Sequence, residues 1–145
     1  MPTDRFSDTV HLAAAPSAVY AHLLDPRSYV GLSPLVVAVR DIRGDSYVAV
    51  ERFRLGPLHW DNNIRVTLTG VEPDRKLTSA VVSPGGVRLT ATIDLAPAAE
   101  GTTLTETIEV SSPTLLRSFV VKQATSVQRA RLAELTRRFS AGVYE

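Results

Sequence analysis

The sequence predicts an α+β fold in which a seven-stranded antiparallel sheet is covered on one face by a long carboxy-terminal helix. Three observations predict it. Residues 112–140 carry apolar side chains at helical spacing, with no Gly or Pro between Pro113 and Gly142. Five earlier segments alternate apolar and polar residues with a period of two, the mark of half-buried strands. Short connections rich in Gly, Pro and Asp separate these segments, so neighbours in sequence pair as antiparallel hairpins.

Residues 6–13 open the sheet, with Phe6, Val10 and Leu12 on one side and Ser7, Thr9 and His11 on the other. Pro16 suits the first position of a short helix that runs through Leu24, with Val19, Tyr20, Leu23 and Leu24 facing inward. Asp25 ends that helix, because a residue before proline disfavours the helical region. Residues 27–33 are expected to make a second short helical turn before Pro34. A strand over 35–43 follows, then a turn at Gly44 and Asp45. Along 47–55 one face carries Val48, Val50, Arg52 and Arg54, and the other Tyr47, Ala49, Glu51, Phe53 and Leu55. Two arginines belong in water, which turns Glu51 towards the interior. Residues 59–71 place Trp60, Asn62, Ile64, Val66 and Leu68 on one side. After a strand over 76–83 and a turn at Pro84, Gly85 and Gly86, the next strand turns Val87, Leu89, Ala91, Ile93 and Leu95 inward. The last strand does the same with Leu104, Glu106, Ile108 and Val110.

The closing helix is expected to start at Ser112, whose side-chain oxygen can cap the first turn, with Pro113 at the first helical position. It could then run for about 27 residues, about 40 Å. Leu116, Val120, Ala124, Val127, Leu132, Leu135 and Phe139 fall on one side, and Gln128 fills the gap between turns. Arg131 interrupts this stripe between Val127 and Leu135. A sheet that is apolar on one face needs a cover, and this helix is the element able to supply it.

Composition bounds the function. The 145 residues are expected to form one domain, 1–145, large enough to bury a core without staples. Sixteen Lys and Arg against fifteen Asp and Glu leave a charge of +1, so no nucleic-acid partner is implied. The absence of cysteine excludes disulfides, thiol nucleophiles and cysteine metal sites. His11 and His22 are expected at the surface and His59 at a rim, with no spacing that suggests a shared metal. No cofactor motif is present, and the basic residues from Arg117 to Arg138 fit a solvated helix face. Tyr20, Tyr29 and Tyr47 are expected as core tyrosines with a wet hydroxyl. No apolar signal region or membrane-spanning run occurs, so a cytoplasmic location without stable membrane insertion is the expectation. Oligomeric state is not legible.

Leu12, Pro16, Val19 and Tyr20, then Asp25, Pro26 and Tyr29, then Ser33 and Pro34 give a pattern of strand, Ala-Pro, helix, Asp-Pro, aromatic and second Pro. In this pattern, and in element order over nearly the whole chain, the sequence resembles the START-like (SRPBCC) superfamily, which includes pollen-allergen-type proteins and polyketide cyclases. The motif is structural, made of turns and packing positions. One departure is that Gly31 and Leu32 stand where the family often has Trp, which implies a less aromatic cavity mouth.

The resemblance implies a helix-grip fold: a curved sheet wrapped around the long helix, with a cavity between them for an apolar molecule. The candidate lining is Phe53, Trp60, Ile64, Leu89, Ile93 and Leu104 from the sheet, with Val127 and Gln128 from the helix. Four polar positions join them, namely Glu51, Asn62, Glu106 and Arg131. Glu106 and Arg131 are expected to meet inside the fold, either as a structural ion pair or as an anchor for a ligand. Carboxyl groups in apolar surroundings can also serve as acids or bases. The chain is therefore expected to bind a lipid, polyketide or aromatic compound. The alternatives are a polyketide cyclase, aromatase or dehydratase using those polar groups, and an interaction module.

Overall fold

A computed structural model describes residues 2–83 and 85–140. Within them seven strands form one curved antiparallel sheet: β1 (Thr3–Leu12), β2 (Val36–Arg43), β3 (Ser46–Leu55), β4 (Leu58–Glu72), β5 (Lys76–Val82), β6 (Arg88–Ala98) and β7 (Gly101–Ser111). The order across the sheet is β1-β7-β6-β5-β4-β3-β2. Six consecutive strands thus form a meander from β2 to β7, and β1 returns to pair with β7. Helix α1 (Pro16–Leu24) and a 3₁₀ turn (Pro26–Tyr29) lie between β1 and β2. The second short helix expected over 27–33 is thus one 3₁₀ turn, held by the Asp25 carboxylate accepting from the Arg27 N–H at 3.0 Å.

The closing helix departs from expectation at its start. Pro113 has an extended backbone, Thr114–Leu116 form a 3₁₀ turn, and the α-helix proper, α2, spans Arg117–Arg138. At 22 residues it is about 33 Å long rather than 40. Ser112 is not its cap. The residue is fully buried, its N–H donates to the Pro2 carbonyl at 3.3 Å, and its hydroxyl has no hydrogen-bond partner among the described residues. The last strand pairing extends through this position, and an extended residue before proline costs nothing. Arg117 then anchors the start of α2 through three bonds to the Asp4 carboxylate, the shortest being 2.8 Å.

Packing is uneven along α2. Gln128, Leu132 and Leu135 are buried, and Phe139 beyond the helix end is 1 % exposed. Leu132, Leu135 and Phe139 join Leu12, Leu23 and Leu104 in the core at one end of the sheet. The Phe139 carbonyl accepts from the Ala13 N–H at 2.9 Å, tying the helix end to the end of β1. His22, expected at the surface, is half-buried there: it meets the Phe139 ring edge-on at 5.1 Å and contacts the Arg138 guanidinium. Two glycines make this end close. A Cβ at Gly101 would lie 1.9 Å from the Leu12 carbonyl oxygen, and one at Gly70 would lie 2.2 Å from the Tyr20 hydroxyl.

Candidate functional site

At the other end, the inner face of the sheet and the first half of α2 enclose a cavity of about 400 Å³. Strand alternation directs Ala49, Glu51 and Phe53 of β3 into it, with Trp60, Asn62, Ile64 and Val66 of β4. Leu89, Ala91 and Ile93 of β6 continue the wall. The helix side is Val120, Ala124 and Val127, preceded by Leu116 and Phe119. The stripe read from the sequence therefore has two uses, since its first half faces the cavity and its second half fills the core.

The floor is polar. Glu106 is 1 % exposed, and Arg131 grips both its oxygens, Nη2 to Oε1 at 2.6 Å and Nε to Oε2 at 3.2 Å. Gln128 donates its carboxamide N–H to the Glu106 carbonyl at 3.0 Å, fixing the helix against β7 beside the pair. Burial works against the Arg131 charge, but the Glu106 carboxylate and its hydrogen bonds outweigh it and hold the guanidinium above its ordinary value. Tyr29 and Tyr47 pack nearby with ring centroids 6.1 Å apart. Burial pushes both phenols up, so they remain neutral donors. Tyr29 spends its proton on the Leu23 carbonyl at 2.7 Å, whereas Tyr47 makes no side-chain hydrogen bond to a described residue. Arg131 also keeps donors, because only two of its five N–H groups are bound to Glu106.

The middle wall holds Glu51 and Asn62, opposite one another in the β3–β4 register. Neither side chain has a hydrogen bond or ion pair with a described residue. Burial raises the Glu51 carboxyl above its ordinary value of 4.5. One register step further, Phe53 and Trp60 stack at 5.9 Å with planes 19° apart. Trp60 is 46 % exposed, Leu116 43 % and Phe119 66 %, which marks this as the mouth. Aromatic rings rim the opening after all. They come from β3, β4 and the start of α2, while Leu32 is packed in the core.

Of the twelve residues selected from sequence, ten line the cavity: Glu51, Phe53, Trp60, Asn62, Ile64, Leu89, Ile93, Glu106, Val127 and Arg131. Two do not. Leu104 is fully buried in the core, opposite Leu95 and Val10, and Gln128 is turned onto the β7 backbone. Tyr29, Tyr47, Ser79 and Phe119 are among the lining residues that escaped selection. The alternation of β3 already placed Tyr47 on the inner face. Phe119 carries no such signal, since it stands beside the helix stripe rather than in it. His59 is exposed and outside the lining. Among the described residues no group of three His, Cys, Asp or Glu could hold a metal ion, and no helix is long and apolar enough to cross a membrane.

A curved antiparallel sheet closed over a cavity by a terminal helix is the helix-grip fold. Within it, the chain belongs to the family described as polyketide cyclase / dehydrase and lipid transport, whose model matches residues 3–140. No curated protein sequence matches. Among solved structures, a START superfamily protein from Mycobacterium smegmatis superposes with a TM-score of 0.74 at 14 % identity, over 93 % of this chain and 96 % of the other. The Zhui aromatase/cyclase from Streptomyces sp. R1128 gives 0.65 at 16 %, over 97 % and 98 %. The di-domain aromatase/cyclase BexL of the BE-7585A biosynthetic pathway gives 0.69 at 20 %, over 96 % of this chain. The chain spans half of BexL's length. At these identities the likeness is one of fold.

Proposed function

We propose that this protein binds an apolar small molecule, a lipid, polyketide or aromatic compound, in the cavity between sheet and α2. The observation that carries the reading is the cavity itself: about 400 Å³, walled by aliphatic and aromatic side chains, with a few polar groups at set depths. That size falls within the range of small-molecule sites. A ligand of roughly 20 non-hydrogen atoms at about −0.3 kcal/mol each would bind at tens of micromolar or better. At the floor, the unspent N–H groups of Arg131 and the Tyr47 hydroxyl suit a carbonyl or ether oxygen. The family's description supports the same class of ligand.

A second reading, a cyclase or dehydratase, uses the same cavity and adds proton transfer to a bound poly-ketone. The observation in its favour is Glu51, a lining carboxyl without a partner among the described residues and with a raised pKa. Native mass spectrometry of the purified protein tests the shared claim. A retained small molecule, released by organic solvent and absent from a variant with Ala124→Trp in the wall, is expected. A mass equal to the bare chain, unchanged after incubation with neutral apolar compounds, counts against both readings.

A further inference from the structure

We infer that Glu51, Asn62, Phe53 and Trp60 form a half-cage for an organic ammonium group, so that the cavity takes an amphipathic amine rather than an acid. The inference rests on the cavity being a small-molecule site and adds the charge of its ligand. Its basis is a two-by-two patch on one face of β3 and β4. Glu51 stands opposite Asn62, and Phe53 opposite Trp60 one step nearer the mouth. All four line the cavity. The two pairs lie about 7 Å apart along the strands, so a single ammonium group can meet a carboxylate on one side and a ring on the other. Carboxylate, carboxamide oxygen and aromatic rings are the groups that recognise such cations.

Charge accounting across the cavity points the same way. The charged side chains that line it are Glu51, Glu106 and Arg131. Arg131 is held by both oxygens of Glu106, which leaves that pair neutral as a unit. Glu51 has no ion pair or hydrogen bond to a described residue. The nearest arginine in sequence, Arg52, alternates to the opposite face and pairs with Asp61 at 2.9 Å. Among the described residues the cavity therefore holds one uncompensated acid and no uncompensated base. A carboxylate ligand would add a second anion to an apolar chamber, whereas an ammonium ligand supplies the missing counter-ion. The raised Glu51 carboxyl agrees with a site whose counter-ion arrives with the ligand.

Three compounds sharing one chain, decylamine, decanol and decanoate, separate the possibilities at neutral pH, with binding followed by calorimetry and by Trp60 emission. The expected order is decylamine tighter than decanol by roughly tenfold or more, with decanoate weakest. Glu51→Gln is expected to bring amine and alcohol within about twofold of each other. Decanoate binding at least as tightly as decylamine overturns the ammonium site. So does an amine preference that survives Glu51→Gln. Decanol binding without any amine preference in the unaltered protein overturns this site but leaves the cavity reading standing. Binding of none of the three removes both. The comparison on the unaltered protein stands even if the variant fails to fold.

Discussion

Arg131 occupies a helix stripe that is otherwise apolar, and Glu106 interrupts an otherwise apolar strand face; each is present because of the other. Arg131→Leu leaves a carboxylate buried without its counter-charge, and chemical denaturation should show a loss of about 3–5 kcal/mol. Glu106→Gln combined with Arg131→Leu should recover part of that loss, because no charge is then stranded. Recovery of nothing would mean that packing of the long side chains, not charge, carries the effect. Glu51 behaves in the opposite sense. Its folded pKa lies above 4.5, so its contribution is fully favourable below that pH and is lost as pH rises through the folded value. Glu51→Gln mimics the protonated form. The variant should be more stable than the parent at pH 7, and the gain should vanish when the same melts are run below pH 4.5. Both carboxylates were legible as inward-facing from period-two alternation. That one is paired and the other alone was not, because pairing depends on where the helix crosses the sheet.

Helix α2 has two halves with different surroundings, and its two nearby phenylalanines report on them. Phe139 is 1 % exposed and Phe119 66 %. Phe139→Ala should cost about 3–5 kcal/mol, as for a core aromatic, whereas Phe119→Ala should cost less than about 1 kcal/mol. The second change should instead weaken capture of apolar probes, since Phe119 lines the mouth. Equal losses of stability from the two would contradict the division of the helix. Helical periodicity showed which side of α2 turns inward, but it carries no information on where a packed core gives way to open space. The same holds for strands. Leu104 and Glu106 share one face of β7, yet Leu104 meets Leu95 at the closed end while Glu106 meets Ile93 at the cavity wall. The start of the helix was misplaced for a related reason. Ser112 and Pro113 have the residue types of a helix start, but the Ser112 N–H bonds to the Pro2 carbonyl and holds the chain extended for one further step.

At the scale of the whole molecule, one end is closed and the other open. Leu12, Leu23, Leu104, Leu135 and Phe139 close one end, with Gly101 and Gly70 allowing the backbone and Tyr20 to approach. The stability of the fold can rest there, which leaves the opposite end free to keep a cavity that would otherwise be filled. Seven antiparallel strands and a covering helix were legible because alternation, short turns and a long helical stripe agree with one another. The cavity was implied only through family resemblance, since a void leaves no periodic mark in a sequence.

The central claim is that this void receives a small apolar molecule. Titration with the neutral dye N-phenyl-1-naphthylamine, read by energy transfer from Trp60, tests it most directly, because Trp60 is the single tryptophan and sits at the mouth. The account predicts saturable binding of one dye per chain at about 1–50 µM, abolished by Ala124→Phe in a variant that still melts cooperatively. No saturation by about 100 µM, or binding that Ala124→Phe leaves unchanged, would contradict it.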